Sequence, residues 1–204
     1  MTNAVPQRVQ TGPLRRYLML ALIALGGYLC QVCVMPYVVI LDVTPNLLMA
    51  LIGIVTVAYG KLRAFWLGMF YGLLMEIMCP SVPMLNLAIY SLSTLFCSFG
   101  FADKPLKTIE YERATNRQRK ELPPWLRSLL CAMLNTAVVE TIRVTYIYLG
   151  GTPLTPAHFL RAALDVVWTG GLTLILTVPL RRAIFGARFG APELKASRVE
   201  FAKK

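Results

Sequence analysis

The chain alternates between long apolar runs and short segments that hold Lys and Arg. The three apolar runs contain about 40, 40 and 50 residues, and a helix needs only about 20 apolar residues to cross a bilayer. Each run can therefore cross, turn and return. The pattern predicts an all-α polytopic membrane protein with six transmembrane helices. The predicted spans are 17–41, 47–60, 64–78, 84–102, 126–149 and 159–180.

The second predicted span is short for a bilayer. At about 1.5 Å per residue, segment 47–60 reaches about 21 Å, whereas the hydrocarbon core is about 30 Å thick. We expect that either Pro45 and Asn46 are drawn into the membrane or the bilayer is thinner there.

Positive charge fixes the orientation of these spans. Nineteen of the 21 Lys and Arg residues lie in four clusters, at 8–16, 61–63, 104–127 and 181–204. Because cytoplasmic loops are enriched in Lys and Arg, all four clusters are predicted to be cytoplasmic. The predicted organisation is a basic cytoplasmic N-terminus (1–16), one six-helix membrane domain (17–182) with a cytoplasmic loop (103–124), and a basic cytoplasmic tail (183–204).

Composition narrows the function classes. The chain is 56% hydrophobic and 15% charged, and its 204 residues leave no segment between spans long enough for a soluble catalytic domain. A net charge of +11 would suit nucleic acid, but the enrichment of basic residues in cytoplasmic turns already accounts for it. We therefore expect membrane lipids, and not nucleic acid, around this protein.

The sequence offers few residues in patterns that support catalysis or metal binding. The single His158 cannot form a metal site with cysteines that lie on different predicted spans. Cys30 and Cys33 have redox spacing, but they lie inside an apolar helix and not at a strand–helix junction. There is no phosphate-binding loop or nucleophile elbow in the sequence. The expectation is a protein without catalytic residues, metal or cofactor.

Four ionisable residues fall inside predicted spans: Glu76, Glu140, Arg143 and Asp165. A charge at the bilayer centre costs about 3 kcal/mol, so such residues should face protein or a polar cavity. Glu140 and Arg143 are three apart on one helix face, which predicts an ion pair. Two alternative roles remain possible for these residues. One is contact with a polar residue of a partner helix, and the other is a proton or substrate path. Glu76 and Asp165 lie nearer the outer ends of their spans, where interfacial solvation would explain them.

The third predicted span carries a stripe of small residues. Ala64, Gly68, Gly72 and Glu76 recur every four residues and so lie on one helix face. Gly-x-x-x-Gly allows close approach of two helix backbones in lipid. The stripe is predicted to serve either internal helix packing or a seam with a partner.

The central part of the sequence resembles the rod shape-determining protein MreD family. The family signature is similar to Pro-Asp/Asn-Leu-Leu, an apolar run, Gly-basic, and then Gly-x-x-x-Gly-Leu-Leu-x-Asp/Glu. The matching residues are Pro45, Asn46, Leu47, Leu48, Gly60, Gly68, Gly72, Leu73, Leu74 and Glu76. Asn46 and Glu76 stand where Asp is commoner in the family, and 84–86 replaces a Gly-rich opening of the fourth span.

The resemblance implies a non-enzymatic scaffold subunit of the bacterial elongasome, the complex that maintains cell shape. Such a subunit lies in the cytoplasmic (inner) membrane, binds the single-span protein MreC, and supports peptidoglycan synthesis during rod elongation. MreB filaments and the RodA–penicillin-binding-protein synthase are further implied partners.

The fold implied by this resemblance is that of the substrate-binding membrane subunits of energy-coupling-factor transporters. That similarity gives the alternative function, a substrate-binding subunit of a vitamin-type uptake transporter. It would need a polar pocket open to the outside, for which the candidate residues are Glu76, His158, Arg161 and Asp165.

Overall fold

A computed structural model describes residues 13–78, 83–101 and 122–185 of the protein. The described residues form six α-helices and one short 3₁₀-helix, in agreement with the predicted all-α class. The α-helices are α1 (Pro13–Cys33), α2 (Leu47–Tyr59), α3 (Lys61–Met78), α4 (Leu85–Phe101), α5 (Pro124–Leu149) and α6 (Pro156–Phe185), and the 3₁₀-helix is Met35–Tyr37. Most of the predicted loop 103–124 and of the tail 183–204 lies outside the described residues.

Three helical segments have the length and apolar composition that crossing a membrane requires. They are Tyr17–Tyr37, Pro124–Leu149 and Pro156–Ile184. Two further apolar helices, α2 and α4, are shorter. The 13 residues of α2 reach about 20 Å, less than the ~30 Å hydrocarbon core. The described helices are those of a membrane protein.

Helix α2 is the centre of the bundle. It contacts each of the other five α-helices, and every residue from Leu47 to Val57 is buried. The side chain of Asn46 caps its first turn by accepting a hydrogen bond from the Met49 N–H at 3.2 Å. Asn46 itself is only 8% exposed. Asn46 is therefore part of the protein interior at the start of α2.

The other helices surround α2 as antiparallel hairpins. Helices α3 and α4 pack closely together, as do α5 and α6, and α1 lies at the periphery with few contacts. Gly60 joins α2 directly to α3 at a φ of +90°, a backbone conformation that glycine adopts without steric strain.

Two predicted spans, the first and the last, differ clearly from the described helices. The first helix ends at Cys33, eight residues before the predicted end at 41, because Pro36 lacks an N–H and disfavours helix at the residue before it. A tight reversal follows, in which Ile40 bridges Val43 and both intervening residues have positive φ. The last helix is longer than 159–180, since Pro156 suits a first helical position and the helix continues past Pro179.

Candidate functional site: a buried polar cluster and an adjoining cleft

Asn46 joins three helices at one point inside the protein. Its backbone N–H donates to Oγ1 of Thr169 on α6 at 3.0 Å. Its side-chain Nδ2 donates to the Tyr90 hydroxyl on α4 at 3.3 Å. Both partners are buried, and so is Asn46. Buried polar groups in an apolar environment need such partners, because an unmade hydrogen bond costs free energy there.

Asp165 completes this polar cluster, which we define as Asn46, Tyr90, Asp165 and Thr169. The Thr169 hydroxyl donates to Oδ1 of Asp165 at 3.1 Å. Asp165 is 7% exposed, so the prediction that it reaches the outer interface was wrong. Thr169 lies one helical turn further along α6, so the two side chains are on the same helix face. This face is turned toward the interior of the protein.

The cluster continues into a buried polar stripe along α6 that the apolar reading of this span missed. The stripe recurs every four residues and is buried throughout; its members are Asp165, Thr169, Thr173, Thr177 and Arg181. The hydroxyls of Thr173 and Thr177 donate to carbonyls one turn earlier, at 2.7 and 2.6 Å. The four-residue recurrence of Asp, Thr and Arg was the available signal, but threonine is apolar enough to be read as part of the span.

Glu140 and Arg143 of α5 meet as predicted, with Nη1 of the guanidinium 2.9 Å from Oε1 of the carboxylate. The Glu140 side chain is 16% exposed and that of Arg143 41%. Both lie within electrostatic range of Tyr90 and Asp165. Two carboxylates and one guanidinium are therefore grouped at the junction of α4, α5 and α6.

A cleft of about 400 Å³ lies between α5 and α6, beside this group. Small side chains line much of it, and among its described lining residues Glu140 is the one that carries a charge at neutral pH. The lining residues used below are Ala137, Glu140, Thr141, Tyr148, Phe159 and Ala163. The cleft is thus an apolar groove with one carboxylate at its edge.

The small-residue stripe of α3 lies against α4. A Cβ on Gly68 would lie 2.6 Å from the Thr94 hydroxyl and 3.0 Å from the Tyr90 carbonyl oxygen. A Cβ on Gly72 would lie 2.8 Å from the Cα of Leu87. Ala64, at the other end of the stripe, is fully buried. This face was predicted to serve either internal helix packing or a seam with a partner. At both glycines it packs against α4 of the same chain.

Glu76 binds the first turn of α4. Its Oε1 accepts the Met84 N–H at 2.9 Å, and its Oε2 accepts the Asn86 N–H at 3.0 Å. The first N–H groups of a helix have no partner within the helix, and their partial positive charge favours a carboxylate. Glu76 therefore has a specific protein contact, and the prediction of simple interfacial solvation was wrong.

The remaining family-motif residues divide between core and surface. Pro45 and Leu48 are buried, and the Leu47 N–H donates to Oε1 of Gln31 on α1 at 2.7 Å. Leu74 is partly buried against the core, whereas Leu73 is 47% exposed. Leu47 thus joins α2 to α1, and Asn46 joins α2 to α4 and α6.

The four candidate residues of the predicted external pocket, Glu76, His158, Arg161 and Asp165, do not line the described cleft. Glu76 caps α4, Asp165 is buried, and His158 interacts with its neighbour Thr155. Within the described ranges, no group of three or more His, Cys, Asp or Glu residues could hold a metal ion. No protein-family model, curated protein or solved structure matches the chain.

Proposed function

We propose that this protein is a non-enzymatic scaffold subunit of a bacterial elongasome, similar to the MreD family, and that it binds an MreC-like single-span protein. The observation that carries the proposal is the position of the motif residues. Asn46 ties α2 to α4 and α6, Gly72 brings α3 onto α4, and Glu76 caps α4. A sequence motif whose residues serve helix junctions is what a structural subunit requires.

The polar groups inside the bundle support a scaffold more than a catalyst. Asn46, Thr169 and Asp165 are linked to one another by hydrogen bonds. Catalytic acids and nucleophiles need reach to a bound substrate. The cluster is instead buried within the helix junctions, where it orients the helices.

The proposed arrangement is six spans in the inner membrane with both termini cytoplasmic, on the strength of the four basic clusters. Single cysteines in a cysteine-free background test it. Cysteines at Leu41 and Leu154 should react with an impermeant reagent from outside, and cysteines at Thr108 and Gly190 only after permeabilisation. Leu41 suits this test because its side chain is well exposed. Labelling at 108 in intact cells would contradict the topology.

The scaffold function is tested by co-expression with the MreC, RodA and penicillin-binding protein of the same organism. We expect MreC to co-purify in detergent, and depletion of this protein to convert rod-shaped cells into round ones. Re-expression of the wild type should restore the rods. Rods that persist after depletion, together with no co-purification of MreC, would contradict the proposal.

One specific observation, the cleft, favours the alternative function. That alternative is a substrate-binding subunit of a vitamin-type uptake transporter. The cleft volume of about 400 Å³ lies within the ~300–1,000 Å³ range of small-molecule sites. Native mass spectrometry of the purified protein separates the two functions. An uptake subunit should carry a stoichiometric small molecule and co-purify with a coupling ATPase module, and a scaffold should do neither.

A further inference from the structure

The shape of the α5–α6 cleft fits a helix better than a compact molecule. On α5 it extends from Ala137 to Tyr148, about three turns or roughly 16 Å. Ala137, Thr141 and Ala163 line the cleft with small side chains. Thr141 and Ala163 are exposed. Small residues on facing helices are what close helix–helix approach in lipid requires.

The charged groups beside the cleft favour a cationic hydrogen-bond donor that belongs to another molecule. Among the described residues, Arg143 supplies the one hydrogen bond to Glu140, and it uses Oε1. No described residue donates to its second oxygen, Oε2, and Glu140 lines the cleft. The neighbouring Asp165 adds a second carboxylate, and Arg143 is the single guanidinium that interacts with both. An added cation would balance the group, because unbalanced charge is costly at this depth.

The depth of Glu140 in the membrane indicates which kind of molecule can supply that cation. Glu140 is nine residues from the end of α5 at Leu149, or about 13 Å below it. Half of the hydrocarbon core is about 15 Å, so a membrane surface level with Leu149 would place Glu140 near the middle of the membrane. A lipid headgroup amine does not reach that level, whereas a side chain on a membrane-spanning helix does.

We propose that the α5–α6 cleft binds a transmembrane helix of a partner protein, and that this helix carries a Lys or Arg that binds Glu140. The inference rests on the proposed scaffold function and assigns its partner a binding face. The partner helix should present small residues toward Ala163 and its basic residue at the level of Glu140.

The test uses a synthetic Leu/Ala transmembrane peptide with one central Lys and a second peptide with Leu at that position. Both are labelled, and energy transfer to the full-length labelled protein is measured in proteoliposomes. We expect the Lys peptide to bind at least about tenfold more tightly, a difference of about 1.4 kcal/mol. Equal binding of the two peptides would overturn the role of Glu140.

Matched substitutions locate the site. Ala163→Leu fills the cleft, whereas Ala21→Leu makes the same change on exposed α1, away from it. We expect Ala163→Leu to weaken Lys-peptide binding at least about tenfold and Ala21→Leu to leave it unchanged. Glu140→Gln should abolish the preference for Lys over Leu. Equal binding by both Ala→Leu variants would overturn the proposal, as would a small molecule that occupies the cleft and excludes the peptides.

Full-length MreC, assayed in parallel, separates this inference from the proposed function. If MreC binds wild type and Ala163→Leu equally, the cleft is the wrong face and the scaffold function stands. If MreC does not bind wild type while the Lys peptide still selects the cleft, the site stands and the partner is a different protein.

Discussion

Helix α3 and helix α5 carry similar sets of residues and use them differently. On α3, Gly68 and Gly72 precede a carboxylate, Glu76, on one face. On α5, Ala137 and Thr141 lie on one face beside a carboxylate, Glu140. The α3 face is covered by α4, and its carboxylate binds backbone N–H groups of α4. The α5 face borders an open cleft, and within the described part of the chain its carboxylate binds Arg143 of the same helix.

The difference shows that small and acidic residues do not by themselves identify a partner seam. Helix packing in lipid uses the same residue types within a chain and between chains. What distinguishes the two faces is whether a helix of the same chain already covers them. The α3 stripe is the clearer one in the sequence, yet the α5 face is the one that borders the cleft and that no described helix covers.

The largest expected effect tests the covered face. Gly72→Leu places a side chain against the backbone of Leu87, where nothing can move aside cheaply. We expect a destabilisation of more than about 3 kcal/mol and little folded protein by size-exclusion chromatography. Gly26→Leu is the control, since a Cβ at Gly26 meets no atom within 4 Å. Normal folded yield for Gly72→Leu, with loss of MreC alone, would show instead that this face is the partner seam.

Asn46→Asp is expected to have the next largest effect. It introduces the residue commoner in the MreD family, but here the new carboxylate would be the second one near Tyr90, which bonds the Asn46 side chain and interacts with buried Asp165. We expect a loss of about 2 to 3 kcal/mol, the cost of an unbalanced charge in a membrane. Adding Asp165→Asn should restore most of the thermal stability in detergent. If the double variant is no more stable than the single one, the two positions do not share one charge.

Local sequence signals predicted much of the fold. The first residue of α2 and the last residues of α3 and α5 agree with the predicted spans, because Asn46, 79–80 and Gly150-Gly151 are strong helix boundaries. The end of α1 was missed because residues 34–41 are apolar, and hydropathy alone does not register the break at Pro36.

The site was less predictable, since its contacts join distant parts of the chain. Pairing of Glu140 with Arg143 follows from a spacing of three on one helix. The bond from Asn46 to Thr169 spans 123 positions, and no local pattern indicates it. The burial of Asp165 likewise depends on where α6 packs, which a single sequence does not reveal.

Neutralising Arg143 and neutralising Glu140, the two residues of the α5 ion pair, should lower stability by different amounts. Arg143 lies about 9 Å from the end of α5 and has a long side chain, so without Glu140 it can extend toward the interface. Glu140 is deeper and shorter and has Asp165 nearby. We expect Arg143→Gln to cost about 2 kcal/mol and Glu140→Gln clearly less, measured by thermal unfolding in detergent. The double variant should recover part of the Arg143→Gln loss, and two silent single variants would refute burial of the pair.

The smallest effects concern the contact between Glu76 and α4, and they should have opposite signs. Glu76→Gln retains one acceptor oxygen but turns an amide N–H₂ toward a backbone donor, so one of two hydrogen bonds is lost. We expect a loss of about 1 kcal/mol. Met84→Gly keeps the N–H that Glu76 accepts and relieves a φ of +64°, which a glycine adopts without strain. It should raise stability slightly, by less than about 1 kcal/mol. If Met84→Gly is as destabilising as Glu76→Gln, the Met84 side chain has a packing role, and the capping contact no longer explains the stability of this turn.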